Sequence, residues 1–152
     1  MPLPDQMLAY LGFPAFLLLF AAIWCLAMLV TSAMGGWRTL ARKYAAPHSR
    51  SSEGETFRAA SATMGKGLMP ANYKSCLIVN FGRNGIYMAP WVIFRFFHPA
   101  LLIPWRAVKN VSDEKFWLRN CAKIEIADFD GHIRLYGKPG EEALRAFKKF
   151  RP

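Results

Sequence analysis

Apolar residues run without a charge from residue 7 to residue 34. That run is longer than the roughly 20 residues needed to cross a bilayer core. Its Leu, Ile, Phe and Val side chains favour insertion by about 5 kcal/mol in total, and no ion opposes them. The pattern predicts a transmembrane helix over 7–34 behind a short tail, 1–6, with Pro14 placed in the first helical turn, where its missing N–H costs nothing. Gly35-Gly36 ends the run. Trp37, Leu40, Ala41 and Tyr44 then recur at helical spacing, with Arg38, Arg42 and Lys43 between them. This predicts a basic amphipathic helix over 35–45 at headgroup level, where Trp37 and Tyr44 suit the interface. Residues 46–56 are small and polar and read as a linker.

From residue 57 the period becomes two. Residues 56–64 form a weak strand pattern. Residues 73–81 and 86–88 flank Gly82-Arg83-Asn84-Gly85, a hairpin signal. Leu101, Leu102 and Ile103 make a short strand before Pro104, whereas Val108, Val111, Phe116 and Trp117 lie in a less regular stretch. The clearest hairpin joins residues 123–127 to 132–136 through Asp130-Gly131, with Ile124, Ile126, Ile133 and Leu135 facing the core. The period changes again after Gly140. Ala143, Leu144, Phe147 and Phe150 form a helix face, opened by Glu141 and Glu142 and closed by Lys148, Lys149 and Arg151, which suits the helix dipole.

Residues 86–105 are apolar enough to pose as a second span. Arg95 near the centre costs about 3 kcal/mol, against about 4 gained from its apolar side chains, and Pro90, Pro99 and Pro104 disfavour a helix. The segment therefore reads as strands and a loop. The expected fold class is α+β: one transmembrane helix, then a small antiparallel bent sheet or partial barrel over 57–152 with a C-terminal helix.

Composition changes this picture in one respect. The 152-residue chain carries 20 Lys and Arg against 10 Asp and Glu, and every basic residue follows residue 34. Asp5 is the one charge before it. The positive-inside preference then expects the N-terminus outside and the C-terminal body in the cytoplasm. A cleaved signal peptide fits poorly, because the apolar run is too long and no basic segment precedes it. Pro2 excludes N-myristoylation. Thr31 with Gly35 and Ser32 with Gly36 form small-residue pairs of the kind that join transmembrane helices. The basic excess suits an anionic leaflet, and no nucleic-acid-binding motif accompanies it.

The remaining chemistry is sparse. Cys76, Cys121, His98 and His132 lack short metal-ligand spacing. Asp128, Asp130 and His132 lack the length and terminal Glu of a calcium loop. Gly65-Lys66-Gly67 lacks phosphate-loop spacing. No catalytic arrangement, metal or cofactor is expected, and the protein reads as a non-enzyme. The apolar stretch 91–98 stands out. Phe94 and Phe96 fit one face of a core strand with Arg95 on the other. Alternatively, Arg95 reaches a headgroup or acidic partner while the Phe side chains enter a groove or acyl chains.

The element order and Leu101-Leu102-Ile103-Pro104-Trp105 resemble the pleckstrin-homology and GRAM-like group. A likeness over most of the chain is to uncharacterised single-span proteobacterial membrane proteins. It rests on Gly36-Trp37-Arg38, Leu40-Ala41, Tyr44, Tyr73, Cys76-Leu77, Gly85-Ile86-Tyr87, Phe94-Arg95, His98-Pro99 and residues 101–105. The pleckstrin-homology resemblance implies a binding scaffold for headgroups or protein segments. The proteobacterial likeness brings no activity with it and implies a bacterial inner-membrane location, with the N-terminus periplasmic and the body cytoplasmic. The leading expectation is a non-catalytic protein that tethers or stabilises a membrane-protein assembly, and the alternative is a lipid-headgroup module. Trp37, Arg38, Arg42, Lys43 and Tyr44 are expected at the membrane interface. Arg95, Phe96, Phe97, His98 and Trp105 are expected to contact the partner or lipid.

Overall fold

The computed structural model describes residues 5–46 and 54–151. Most of the linker expected at 46–56, and residues 1–4 of the N-terminal tail, lie outside them. Helix α1 (Asp5–Met34) contains the predicted apolar run. Its stretch Tyr10–Met34 is long and apolar enough to span a membrane, and apart from Ser32 none of its side chains is buried. Pro14 sits inside α1 and not in its first turn, because the helix already begins at Asp5, nine residues upstream.

Seven antiparallel strands form one sheet, curled into a half-barrel. They are β1 (Thr56–Gly65), β2 (Ala71–Gly82), β3 (Gly85–Pro90), β4 (Leu101–Ile103), β5 (Val108–Phe116), β6 (Arg119–Ile126) and β7 (His132–Tyr136). Their order across the sheet is β4-β3-β2-β1-β7-β6-β5. Ile124, Ile126, Ile133 and Leu135 are all buried, as the alternation of their hairpin predicts. Helix α3 (Lys138–Phe150) lays Ala143, Ala146 and Phe147 on that core. The stretch around Val108 to Trp117, expected to be irregular, is instead regular. Strand β5 pairs with β6 up to Phe116↔Arg119.

The β6–β7 turn also differs in detail. Its left-handed residue is Asp128, with φ 57°, and not Gly131. The connection spans five residues, longer than the tight two-residue turn in which Asp-Gly would carry positive φ. Lys43 Nζ donates to Asp128 Oδ2 at 3.1 Å, and Lys66 pairs with Asp130, so both acids face cations on neighbouring elements.

The joint between α1 and the sheet departs most from expectation. Helix α2 (Trp37–Tyr44) exists as predicted, but its apolar face enters the core of the body. Trp37 and Leu40 are fully buried, and Ala41 and Tyr44 pack against the same cluster. An amphipathic helix needs one apolar surface to cover it, and here the open end of the half-barrel supplies that surface ahead of lipid. The helices are joined by a two-glycine bend. A Cβ on Gly35 would lie 2.8 Å from Ala71 Cβ, and Gly36 adopts φ 74°, a conformation glycine takes without steric cost. The small residues near the end of α1 therefore pack within the chain. Ser32 Oγ donates to the Phe97 carbonyl at 2.7 Å, and Gly35 lies against Ala71 and Tyr73.

Candidate functional site

The 3-10 turn Val92–Phe97 replaces the core strand or loop expected there. It follows Pro90 and Trp91, leaves the sheet after β3, and runs beside α1 before β4. Phe94 stacks on Trp24 with ring centroids 5.5 Å apart. Phe97 is held by the Ser32 hydrogen bond, and Arg95 Nε donates to the Pro90 carbonyl at 3.0 Å. Part of the two predicted clusters thus meets where α1, α2 and this turn converge: Arg38 and Arg42 with Phe97, and Trp37 with His98.

A cleft of about 450 Å³ opens there, lined by Leu29, Arg38, Ala41, Arg42, Phe97 and Pro99. Arg38 and Arg42 are four residues apart, so they share one face of α2, and both are exposed. Leu29 and Phe97 supply apolar walls. The cleft can take a group with an anionic head and an apolar tail, since two guanidiniums offer forked donors to phosphate or carboxylate. Leu29, Ala41 and Pro99 are not among the contact residues expected from the sequence. Leu29 is one apolar residue among many in α1, and nothing local marks it.

Three other expected contact residues are structural. Trp37 is buried, and its indole N–H donates to the Pro99 carbonyl at 2.9 Å. His98 is buried between Trp37 and Tyr73, with ring centroids 5.2 and 5.5 Å away. Its Nε2 and the Tyr73 hydroxyl oxygen are 3.1 Å apart. Burial pushes the His98 pKa down to about 4, against a smaller upward pull from the Phe94 carbonyl. Burial also drives the Tyr73 hydroxyl well above its ordinary value, with a smaller push from Cys76. Both are neutral at ordinary pH and clamp the joint. Trp105 is buried at the other end of the sheet, where it donates to the Gly82 carbonyl at 2.9 Å and stacks on Phe150. These three side chains are buried and offer almost no surface to lipid or partner. Each indole is satisfied where core and carbonyl meet, and the imidazole by the Tyr73 hydroxyl. Arg95 is half-buried and Phe96 is exposed. Lys43 is exposed and paired with Asp128, and Tyr44 packs on the core.

Cys76, Cys121, His98 and His132 do not gather into one site. Among the described residues, no three His, Cys, Asp or Glu side chains gather as a metal site would require. Burial raises the pKa of both thiols, which keeps them protonated.

A second surface was not anticipated. Trp117 and Leu118 form the two-residue tip between β5 and β6, with φ 49° and 64°. Both central residues at positive φ make a type I′ turn, normally built from Asn and Gly. Leu118 is 98% exposed. Across a groove of about 590 Å³ lie Leu68 and Met69 of the β1–β2 turn, also exposed, with Lys74 and Arg119 on its walls. Comparison of the sequence with protein-family models and with curated proteins gives no match.

Proposed function

We propose that the protein is a non-catalytic, single-span inner-membrane binding module whose cleft between α1 and α2 engages an anionic lipid headgroup at the cytoplasmic leaflet. The observation that carries this reading is the position of Arg38 and Arg42. They stand on a cleft whose opposite wall includes Leu29 of the apolar helix, so a phosphate at the guanidiniums leaves its acyl chain beside α1. The absence of any acidic residue between 35 and 46 favours an anion there, and each arginine near an anionic leaflet contributes about 1 kcal/mol. The distribution of basic residues along the chain favours a cytoplasmic body. The half-barrel with its C-terminal helix fits the binding scaffold that the pleckstrin-homology likeness implies.

A second reading, tethering of a membrane-protein assembly, is favoured by the exposed tips. Trp117 and Leu118 hold positive φ, and strained residues cluster where function maintains them. The readings combine if lipid seats one face and a protein takes the other. They are separated by placing a photo-crosslinking residue at Ala41 or at Trp117 in the full chain in native membranes. A phospholipid adduct at position 41 supports the headgroup reading. A single membrane-protein adduct at 41 in its place overturns it and moves the partner to the cleft. A protein adduct at 117 supports the tether.

A further inference from the structure

The turn Val92–Phe97 is unusual in what it leaves uncovered and in what it covers. Its Val92, Ile93 and Phe96 side chains are exposed, Phe96 by 76% and Val92 by 74%, and the preceding Trp91 is exposed as well. Nearby carbonyls, by contrast, are met by side-chain donors from outside the turn or from its one charge. Arg95 Nε meets Pro90 O, Ser32 Oγ meets Phe97 O, Trp37 Nε1 meets Pro99 O, and Trp91 Nε1 meets Arg58 O. Water would satisfy such carbonyls on an ordinary surface loop without dedicated donors. Pro90, Phe97 and Pro99 bound the turn at its two ends, while Arg58 lies on β1. Side-chain donors at both ends of a turn with bare apolar side chains are what irregular backbone needs where water is absent.

Depth along α1 points the same way. Phe97 lies level with Ser32, and Phe94 lies level with Trp24. Trp24 is ten residues before Met34, about 15 Å along the helix axis. A bilayer core is about 30 Å thick, so a turn reaching Trp24 is well inside one leaflet if α1 crosses.

We infer that the turn Val92–Phe97 is a wedge embedded among the acyl chains of the leaflet beside α1. This rests on the reading of α1 as a membrane span. Trp91, Val92, Ile93 and Phe96 face lipid tails, and Phe94 grips Trp24. The one charge of the wedge, Arg95, is half-buried and donates its Nε to the Pro90 carbonyl, a backbone partner of the kind that ionisable groups take within a membrane. The occupant is acyl chain and not a partner helix, because the patch continues the exposed surface of α1, which lies uncovered at the same level.

The test uses the full chain, one copy per lipid nanodisc, with Cys25 and Cys76 replaced by Ala. Phe96→Cys, and separately Ile93→Cys, carries an environment-sensitive nitrobenzoxadiazole label. Leu18→Cys serves as the in-membrane reference and Lys109→Cys, on β5, as the aqueous one. With spin-labelled acyl chains in the disc, labels at 96 and 93 lose most of their emission, as the label at 18 does, and the label at 109 keeps its own. Emission at 96 and 93 matching that at 109, while 18 is quenched, overturns the wedge and leaves the span standing. An unquenched label at 18 removes the span and the wedge together. One copy per disc means that quenching cannot arise from contact with a second chain.

Discussion

His98 ties helix α2 to the sheet through its neutrality, packed between Trp37 and Tyr73. Enclosed by Trp37 and Tyr73, its ring resists protonation, and its pKa falls from about 6.5 to about 4. The unfolded chain therefore binds this proton more readily than the folded one. The stability that neutral His98 contributes is complete above about pH 6.5 and is lost as pH falls toward 4. His98→Gln has no such titration. The stability gap between wild type and His98→Gln, read as thermal midpoints in mild detergent, narrows across that window. A gap that widens as pH falls would contradict the buried neutral ring. Trp37 bears on the same joint by packing. Trp37→Ala leaves a cavity beside His98 and Tyr73 and frees the Pro99 carbonyl, at a cost of about 3–5 kcal/mol. Denaturant titration reads this directly. A change below 1 kcal/mol, on the order of an exposed substitution, would mean that Trp37 faces lipid after all.

At the level of elements, the hairpin tip Trp117-Leu118 carries a specific trade-off. A side chain at left-handed φ costs about 1–2 kcal/mol relative to glycine, and an almost fully exposed Leu118 returns no burial. Leu118→Gly accordingly raises folding stability by about that amount and weakens any cross-link formed at the tip. A lower denaturation midpoint for Leu118→Gly would remove the strain argument. The same tip marks a limit of reading structure from sequence. Strands β6 and β7 were legible because their alternation is clean, and α1 because its run has no charge. The β5–β6 hairpin was not, since Trp-Leu gives none of the Asn-Gly signal that type I′ turns usually carry. Helix α2 was legible as a helix but not in its placement. Trp37, Leu40, Ala41 and Tyr44 make the same stripe whether a leaflet or a half-barrel covers them, and periodicity does not record which. For the candidate site, Arg38 and Arg42 stood out by charge. Leu29 and Pro99 became part of it only when Gly35-Gly36 folded α2 back beside α1.

For the whole molecule, the consequence is that the body begins at the glycine bend and not after a linker. Removing residues 1–34 leaves α2 in place, whereas removing residues 1–45 takes Trp37 and Leu40 out of the core. Those two losses amount to roughly 5–10 kcal/mol by large-to-small precedent, comparable to the full stability of a small domain. The shorter truncation should keep fixed tertiary packing by near-ultraviolet circular dichroism, and the longer one should lose it. Equal spectra would detach α2 from the core. Because Trp37 and Leu40 seat α2 in the core, Arg38 and Arg42 are held at a fixed height against α1, and the proposed lipid recognition requires the whole chain. The most direct test is native mass spectrometry of the full-length protein released from nanodiscs of mixed zwitterionic and anionic phospholipid. The account predicts retained anionic lipid on the wild type and, for Arg38→Gln with Arg42→Gln, retention lower by roughly tenfold or more, as two arginines at about 1 kcal/mol each imply. Equal retention by the two proteins, or no preference for anionic lipid in either, would contradict it.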